Sequence, residues 1–425
     1  MIVLDRIHLV FLYPLDTDGM NIANSIDYYL VYVFFSVFHI LKLIRMKRRK
    51  FLGACGIGLG AGIMSSANSL AKADNKVESS PKFSAEAVLA SEELHAKGFT
   101  ASLLPPALKK GSTIGITAPA SGVDNGELQE GISLLKASGF NIVIGNTITR
   151  KYGYLSAPDA ERASEFMEFI ERKDIDCILC ARGGYGVMRI LPMLDFSMIQ
   201  QNPKIIIGYS DITALLVAIN RLSNIVTFHG PVASSTFDPF TVDYFNKTLC
   251  SNQLIQNDAI SKEKAIIPFA PITYSDSKII TLNSGVARGT LTGGNLSMIV
   301  STLGTPYEID TKNALLFLED IAEEPYKIDR MLTQLWLAGK LQQCAGIVLG
   351  QFKNCEAQRI AGFEVSFSLI QVLESRIKSL GIPAVYGLPI GHVKSKMTLP
   401  LGVNAELNSV DKTFTILERP VMLTS

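Results

Sequence analysis

From residue 112 onward, the apolar residues fall into short unbroken runs that alternate with stretches of helical spacing. "STIGITAPAS" (112–121) begins as an apolar strand and ends in a loop of small residues. "NGELQEGISLLKASG" (125–139) repeats its apolar positions three and four apart and stops on Gly139, which marks a helix and its C-terminus. The series continues with a strand at 140–145, a helix over 157–174, a strand at 175–186 that ends in glycines and a short helical piece at 187–195. "PKIIIGYSDITALLVAIN" (203–220) then reads as strand, sharp corner and helix, and 224–232 as a further strand. Continuous apolar strands alternating with helices predict an open parallel sheet covered on both faces. In such sheets a ligand sits outside the C-terminal ends of the strands. Three polar or glycine-rich loops fall at those ends: 119–122, 182–186 and 208–211.

The pattern weakens over 236–280, which is expected to be a linker region, and a second set of elements follows. Residues 285–304 mix glycine-rich turns with a helix. "ALLFLED" (314–320) is a strand ending on two carboxylates, 326–341 a helix and 345–352 a strand. Residues 384–402 are rich in loops, and 404–417 read as a closing β-hairpin. The expected organisation is an N-terminal α/β domain with a parallel sheet over 103–235 and a second domain over 281–425. A chain of 425 residues has room for both, at roughly 100–200 residues per domain.

Residues before 103 follow different rules. Residues 28–44 are apolar but contain His39 and Lys42, a marginal length for a membrane span. Residues 46–73 carry a complete export signal: Met46, the basic cluster Lys47-Arg48-Arg49-Lys50, a weakly apolar Gly/Ala-rich segment and a small-x-small end at Ala71-Lys72-Ala73. Paired arginines ahead of Phe51-Leu52 resemble a twin-arginine signal. The expectation is translation from Met46, with 1–45 an upstream extension or apolar anchor, export to the periplasm, and a polar arm over 74–102. An unused signal would leave the protein in the cytoplasm, and membrane contact is expected only through an uncleaved N-terminus.

Composition narrows the classes further. Forty Lys and Arg balance 39 Asp and Glu, and no basic block lies beyond residue 50, so the basic stripe of a nucleic-acid binder is missing. Five cysteines remain after residue 73, an odd number that argues against a full disulfide framework. Cys177 and Cys180 lie three apart in an apolar strand and so point to opposite faces, which predicts buried thiols rather than a bonded or metal-binding pair.

Ser210, on the corner of 203–220, has two readings. A serine between strand and helix can cap the helix, or it can be a nucleophile exposed on a tight turn. The G-x-S-x-G elbow is only partly met, because Ile212 stands in place of its second glycine. A nucleophile needs a base and an orienting acid. His95 lies in the arm, and His229 and His392 both remain open as the base. Glu319 and Asp320 end a strand, where a carboxylate can be held rigidly. The glycines of "ARGGYG" (181–186) could turn backbone amides toward an oxyanion. They match neither common nucleotide-binding pattern.

Seven segments together resemble the LD-carboxypeptidase family of serine peptidases, which includes the microcin C self-immunity peptidases. They are "PPALKKGSTIGITAPAS", "ARGGYGVMRILPMLD", "IIIGYSDITALL", "TFHGP", "GTLTGGNLS", "LFLEDIAEEPYKIDRMLTQL" and "GLPIGHVKSKMTLPLG", in that order across roughly 105–417. The resemblance implies a doubly wound domain followed by a smaller β-rich one, with the active site between them. It implies a triad of Ser210, His392 and Glu319, with the backbone amides of Gly184 and Asp211 at the oxyanion hole and no metal or cofactor. It implies hydrolysis of the bond before the terminal D-alanine of murein tetrapeptides, in cell-wall turnover, and a homodimer. An aminoacyl-nucleotide amide hydrolase is the alternative within the family. A non-catalytic periplasmic binding protein is the alternative outside it.

Overall fold

The computed structural model of the protein describes residues 102–251, 270–358 and 365–423. The upstream extension, the export signal and all but the last residue of the arm lie outside the described residues.

The first sheet has strands β1 (Thr113–Thr117), β2 (Asn141–Ile144), β3 (Cys177–Cys180), β4 (Ile205–Gly208) and β5 (Thr227–His229), all parallel, in the order β2-β1-β3-β4-β5. The chain winds outward from β1 in both directions, so the order reverses between β1 and β3. That switch opens a crevice at the C-terminal strand ends. Its main helices are α1 (Asn125–Ala137), α2 (Asp159–Glu171), the short α3 (Val187–Ile190) and α4 (Phe196–Gln201), and α5 (Thr213–Ser223). Central strands are covered on both sides: Ile205, Ile206 and Ile207 are all fully buried. This is why they read as an unbroken apolar run instead of an alternating one. Cys177 and Cys180 are free and buried in β3, as their spacing predicts. Burial pushes both thiols up, so neither offers a thiolate near neutral pH.

The stretch expected to be a linker holds regular structure instead. Helix α6 (Pro239–Leu249) starts on an Asp238 carboxylate that accepts from Thr241 N–H, with Pro at the first position. Val242, Phe245 and Leu249 form its buried face. The start signal is plain in "DPFTVDYF", but a short helix isolated between weak segments leaves little periodicity to detect.

The second sheet has eight strands in the order β6-β14-β13-β8-β9-β10-β11-β7. These are β6 (Ile272–Ser275), β7 (Ile280–Asn283), β8 (Val286–Asn295), β9 (Ala314–Ile321), β10 (Gly346–Lys353), β11 (Ala384–Tyr386), β13 (Asn404–Asn408) and β14 (Thr413–Ile416). Strands β8 to β11 are parallel and the rest join antiparallel, β13 and β14 as the expected hairpin. Helices α7 (Leu296–Ser301), α8 (Pro325–Leu337) and α9 (Leu369–Ile377) complete it. Of the glycines in 285–304, expected to form turns, Gly289, Gly293 and Gly294 run inside β8. At Gly293, with φ of 145°, any side chain would strike the Phe317 backbone of β9. At Gly294 it would strike Thr213. These glycines therefore let β8 lie flush against its neighbours.

Two of the connections between the sheets bear on the site. Asn295, the last residue of β8, donates its N–H to Thr213 Oγ1 at 3.0 Å, which docks the start of α5 on the second sheet. Strand β12 (Leu399–Leu401) returns to the first sheet and pairs antiparallel with β5, Leu399 opposite His229. The loop between β11 and β12 therefore crosses from one sheet to the other.

Candidate active site

The corner after β4 is strained at one residue. Tyr209 is extended, and Ser210 then takes φ of +64°, the left-handed region that costs a non-glycine residue about 1–2 kcal/mol. A single 3₁₀ turn, Ser210–Ile212, leads into α5, and Ser210 makes no capping hydrogen bond to it. The capping reading of Ser210 therefore falls. The missing second glycine has a physical explanation. Ile212 is fully buried and packs back on Gly208, where a side chain would come within 2.9 Å of it. The glycine that makes room for the serine comes instead from another strand end. A Cβ on Gly183 would stand 2.8 Å from Ser210 Cβ and 3.0 Å from its Oγ.

Gly183 belongs to the loop after β3, which is fastened on every side. Ser121, after β1, donates its N–H to Gly183 O at 3.3 Å, and its Oγ accepts the Tyr185 N–H at 3.2 Å. Gly184 and Gly186 both have positive φ, of 108° and 128°. The Asp211 carboxylate, buried beside the serine, accepts the Val187 N–H at 2.9 Å. Burial pushes the Asp211 carboxyl up to about 6, against the opposing pull of Val187 N–H and Arg162. Beneath the loop lies Arg162, fully buried, donating to the carbonyls of Pro119, Ala157 (3.0 Å) and Gly186 (3.0 Å) and pairing with Asp159. One guanidinium thus joins the loops after β1 and β3 to the start of α2. Sequence reading missed Arg162. The available signal was an arginine four residues before Phe166, on the apolar face of its helix.

On the opposite side, β9 carries both candidate carboxylates, and alternation along the strand separates them. Asp320 accepts from Ser297 N–H (3.0 Å), Ser297 Oγ (2.8 Å) and Asn295 Nδ2 (3.1 Å), and so anchors the first turn of α7. Glu319, fully buried, has its Oε2 at 2.8 Å from His392 Nδ1. A side chain at Gly391, with φ of 100°, would run into that carboxylate, so glycine is required for the loop to pass close enough. With Glu319 ionised, Nδ1 carries the proton and Nε2 is left as the basic nitrogen.

His392 also packs edge-on against Tyr209, with ring centroids 4.9 Å apart. The histidine therefore lies against the residue immediately before Ser210. His229 also lies near Tyr209, with ring centroids 6.1 Å apart, and against Phe317 at 5.2 Å. It is buried, and neither ring nitrogen has a hydrogen-bond partner among the described residues. Burial holds its pKa down to about 4, so it is a neutral packing group near pH 7. The two histidines that the sequence left open thus differ in their surroundings. Lys396 is buried as well, its amine 5.4 Å from the Tyr209 ring centroid, and burial lowers it to about 8. Among the described residues, no group of three His, Cys, Asp or Glu side chains is placed to hold a metal ion.

Glu319 of β9 thus meets His392 of the crossing loop, and His392 packs against Tyr209, the neighbour of Ser210 in the turn after β4. Gly184 follows the residue that touches the serine, and Asp211 follows the serine itself. His95 lies outside the described residues. Comparison with known proteins bears on this arrangement directly. The LD-carboxypeptidase N-terminal domain matches residues 114–230, and the LD-carboxypeptidase C-terminal domain matches residues 288–407. The chain belongs to the LD-carboxypeptidase family. It is 41% identical over 320 residues to a "Probable murein peptide carboxypeptidase" of Bacillus subtilis (strain 168), covering 75% of this chain and 95% of that protein. It is 31% identical over 340 residues to the "Microcin C7 self-immunity protein MccF" of Escherichia coli, covering 75% of this chain and 96% of that one. A crystal structure of muramoyltetrapeptide carboxypeptidase from Oxalobacter formigenes superimposes with a TM-score of 0.62 at 30% identity, covering 73% of this chain and all of that one. As an LD-carboxypeptidase family member the protein is a peptidase, which removes the binding-protein alternative. The fold expected from the resemblance, a mostly parallel α/β sheet joined to a β-rich part, is the fold observed.

Proposed function

We propose that this LD-carboxypeptidase family member hydrolyses the peptide bond before the terminal D-alanine of murein tetrapeptides through Ser210, His392 and Glu319. The observation that carries the reading is the buried Glu319 carboxylate on His392 Nδ1, with the imidazole packed beside the strained serine corner. In this mechanism Ser210 Oγ attacks the scissile carbonyl carbon while His392 Nε2 takes the hydroxyl proton. The oxygen that becomes negative is received by the backbone N–H groups of Gly184 and Asp211. Collapse breaks the C–N bond, and His392 gives its proton to the departing D-alanine amine. Water then attacks the ester, loses a proton to His392, and releases the shortened peptide and free serine. Glu319 fixes the tautomer and stabilises the imidazolium.

The relative with 41% identity supports the murein substrate, and the export signal at 46–73 supports action in the periplasm on wall peptides. The MccF likeness at 31% identity supports the second reading, cleavage of an aminoacyl-nucleotide amide. Purified protein is expected to release D-alanine from a murein tetrapeptide, and Ser210→Ala is expected to stop that release. Turnover of an aminoacyl-nucleotide amide with none of the tetrapeptide would establish the second reading instead. N-terminal sequencing of protein recovered from the periplasm should begin near Asp74. Recovery only from the cytoplasm with Met46 retained would overturn the export proposal.

A further inference from the structure

A carboxypeptidase must distinguish a chain end from an internal peptide bond, and the feature of that end is a carboxylate one residue beyond the scissile carbonyl. The nucleophile corner offers a cation at this distance. Arg182 immediately precedes Gly183, the residue against Ser210. One Cα–Cα step from Gly183 puts the Arg182 Cα within about 8 Å of the hydroxyl, so an extended arginine reaches toward a ligand held at the serine. Its backbone is fixed, because Ala181 N–H donates to Thr117 O at 2.8 Å and Ala181 O accepts from Ser234 N–H at 3.1 Å. Its side chain is half-exposed, and its ion-pair partner is Glu127 at 4.0 Å, itself half-exposed. The neighbouring arginines are committed: Arg162 and Arg189 are both bound to Asp159, Arg189 at 2.7 Å. Lys396 is buried, its amine 5.4 Å from the Tyr209 ring centroid.

From this position we infer that Arg182 is the specificity residue that binds the free α-carboxylate of the departing amino acid, a role that rests on the murein-peptide reading. A guanidinium offers a planar fork of donors that matches a carboxylate bidentately, at an N–O distance of about 2.7–2.9 Å, much closer than Glu127 stands. Substrate binding exchanges the loose Glu127 contact for this pair. The loss of Arg182 therefore weakens recognition of an acid chain end and leaves the triad intact.

The test compares a murein tetrapeptide with the same peptide ending in a D-alanine carboxamide, using the full protein and measuring kcat/KM. The wild type is expected to prefer the acid by about 100-fold, the scale of one charge-assisted bidentate pair. In Arg182→Gln, turnover of the acid should fall by about that factor, mainly through KM, while turnover of the amide stays unchanged. Arg182→Lys, which keeps a point charge, should retain part of the preference. A wild type that cleaves both substrates equally, or an Arg182→Gln enzyme that keeps the acid preference, overturns the role of Arg182 alone. A wild type that cleaves neither overturns the murein reading and this role with it.

Discussion

Glu319 and His392, 73 residues apart in the chain, meet through Oε2 and Nδ1 at 2.8 Å, with the carboxylate fully buried. The contact depends on β9 holding the acid and on Gly391 allowing the crossing loop to approach. Glu319→Gln keeps the shape but lets the amide bind the wrong tautomer of the imidazole. It should lower kcat by about 10⁴-fold with little change in KM, the scale for replacing a triad acid by its amide. Steady-state kinetics on a murein tetrapeptide test this, and a fall of only a few-fold would remove Glu319 from the mechanism.

Ser210 pays a conformational penalty that alanine shares and glycine escapes. Ser210→Ala and Ser210→Gly should both abolish turnover. The glycine variant should nevertheless be more stable than the alanine variant by about 1 kcal/mol, because φ of +64° is open to glycine. Urea denaturation of the pair measures the difference. An alanine variant as stable as the glycine one would mean that the corner relaxes without the hydroxyl.

Arg162 serves three backbone carbonyls and Asp159 from a fully buried position. Arg162→Met leaves the carbonyls of Pro119, Ala157 and Gly186 without this donor. At about 1–3 kcal/mol for each buried group left unpaired, the loss should be on the order of 3 kcal/mol or more. Arg162→Lys should recover little of it, since an ammonium lacks the planar fork. Thermal melting of the two variants is the check, and a Tm for Arg162→Lys equal to that of the wild type would contradict the account.

His229 makes stability depend on acid in a definite direction. The unfolded chain binds its proton near the ordinary 6.5, while the buried native ring refuses it until about 4. Its contribution is therefore present above pH 6.5 and is lost as pH falls toward 4, by roughly 3 kcal/mol in all. Asp211 acts oppositely, because the native state keeps that proton up to about 6 and the unfolded chain releases it near 3.8. In His229→Phe, the part of the acid loss that belongs to this ring should vanish. Repacking shifts the stability of the variant equally at every pH, so the informative quantity is the slope between pH 4 and 7. An unchanged slope would show that His229 is not the group responsible.

Much of the fold was legible because its signals are local. The apolar run and corner at 205–213 required only neighbours in sequence, as did the strand at 314–321 and the hairpin at 404–416. The errors came where local pattern and tertiary use diverge. The glycines of β8 look like turn residues, yet they are there because Phe317 and Thr213 press on them from other elements. Helix α9 gave no expectation, although Ser368 and Gln371 form a capping box at its start. Arg162 looked like one more charge in an acidic helix. Only the approach of two loops makes it a buried hub.

The sequence by itself determined most element types, the parallel α/β class of the first sheet and the serine corner, because each follows from periodicity and backbone preference over a few residues. Residue pattern also narrowed the base to two histidines and the acid to two carboxylates, and the family resemblance pointed to His392 and Glu319. The tertiary structure set the surroundings that distinguish the members of each pair. Strand alternation turned Glu319 toward His392 and Asp320 toward α7, the crossing to β12 brought His392 against Tyr209, and His229 is buried on β5. Such choices depend on which surfaces are pressed together across tens or hundreds of residues, and a pattern that repeats every two or four positions carries no information at that range.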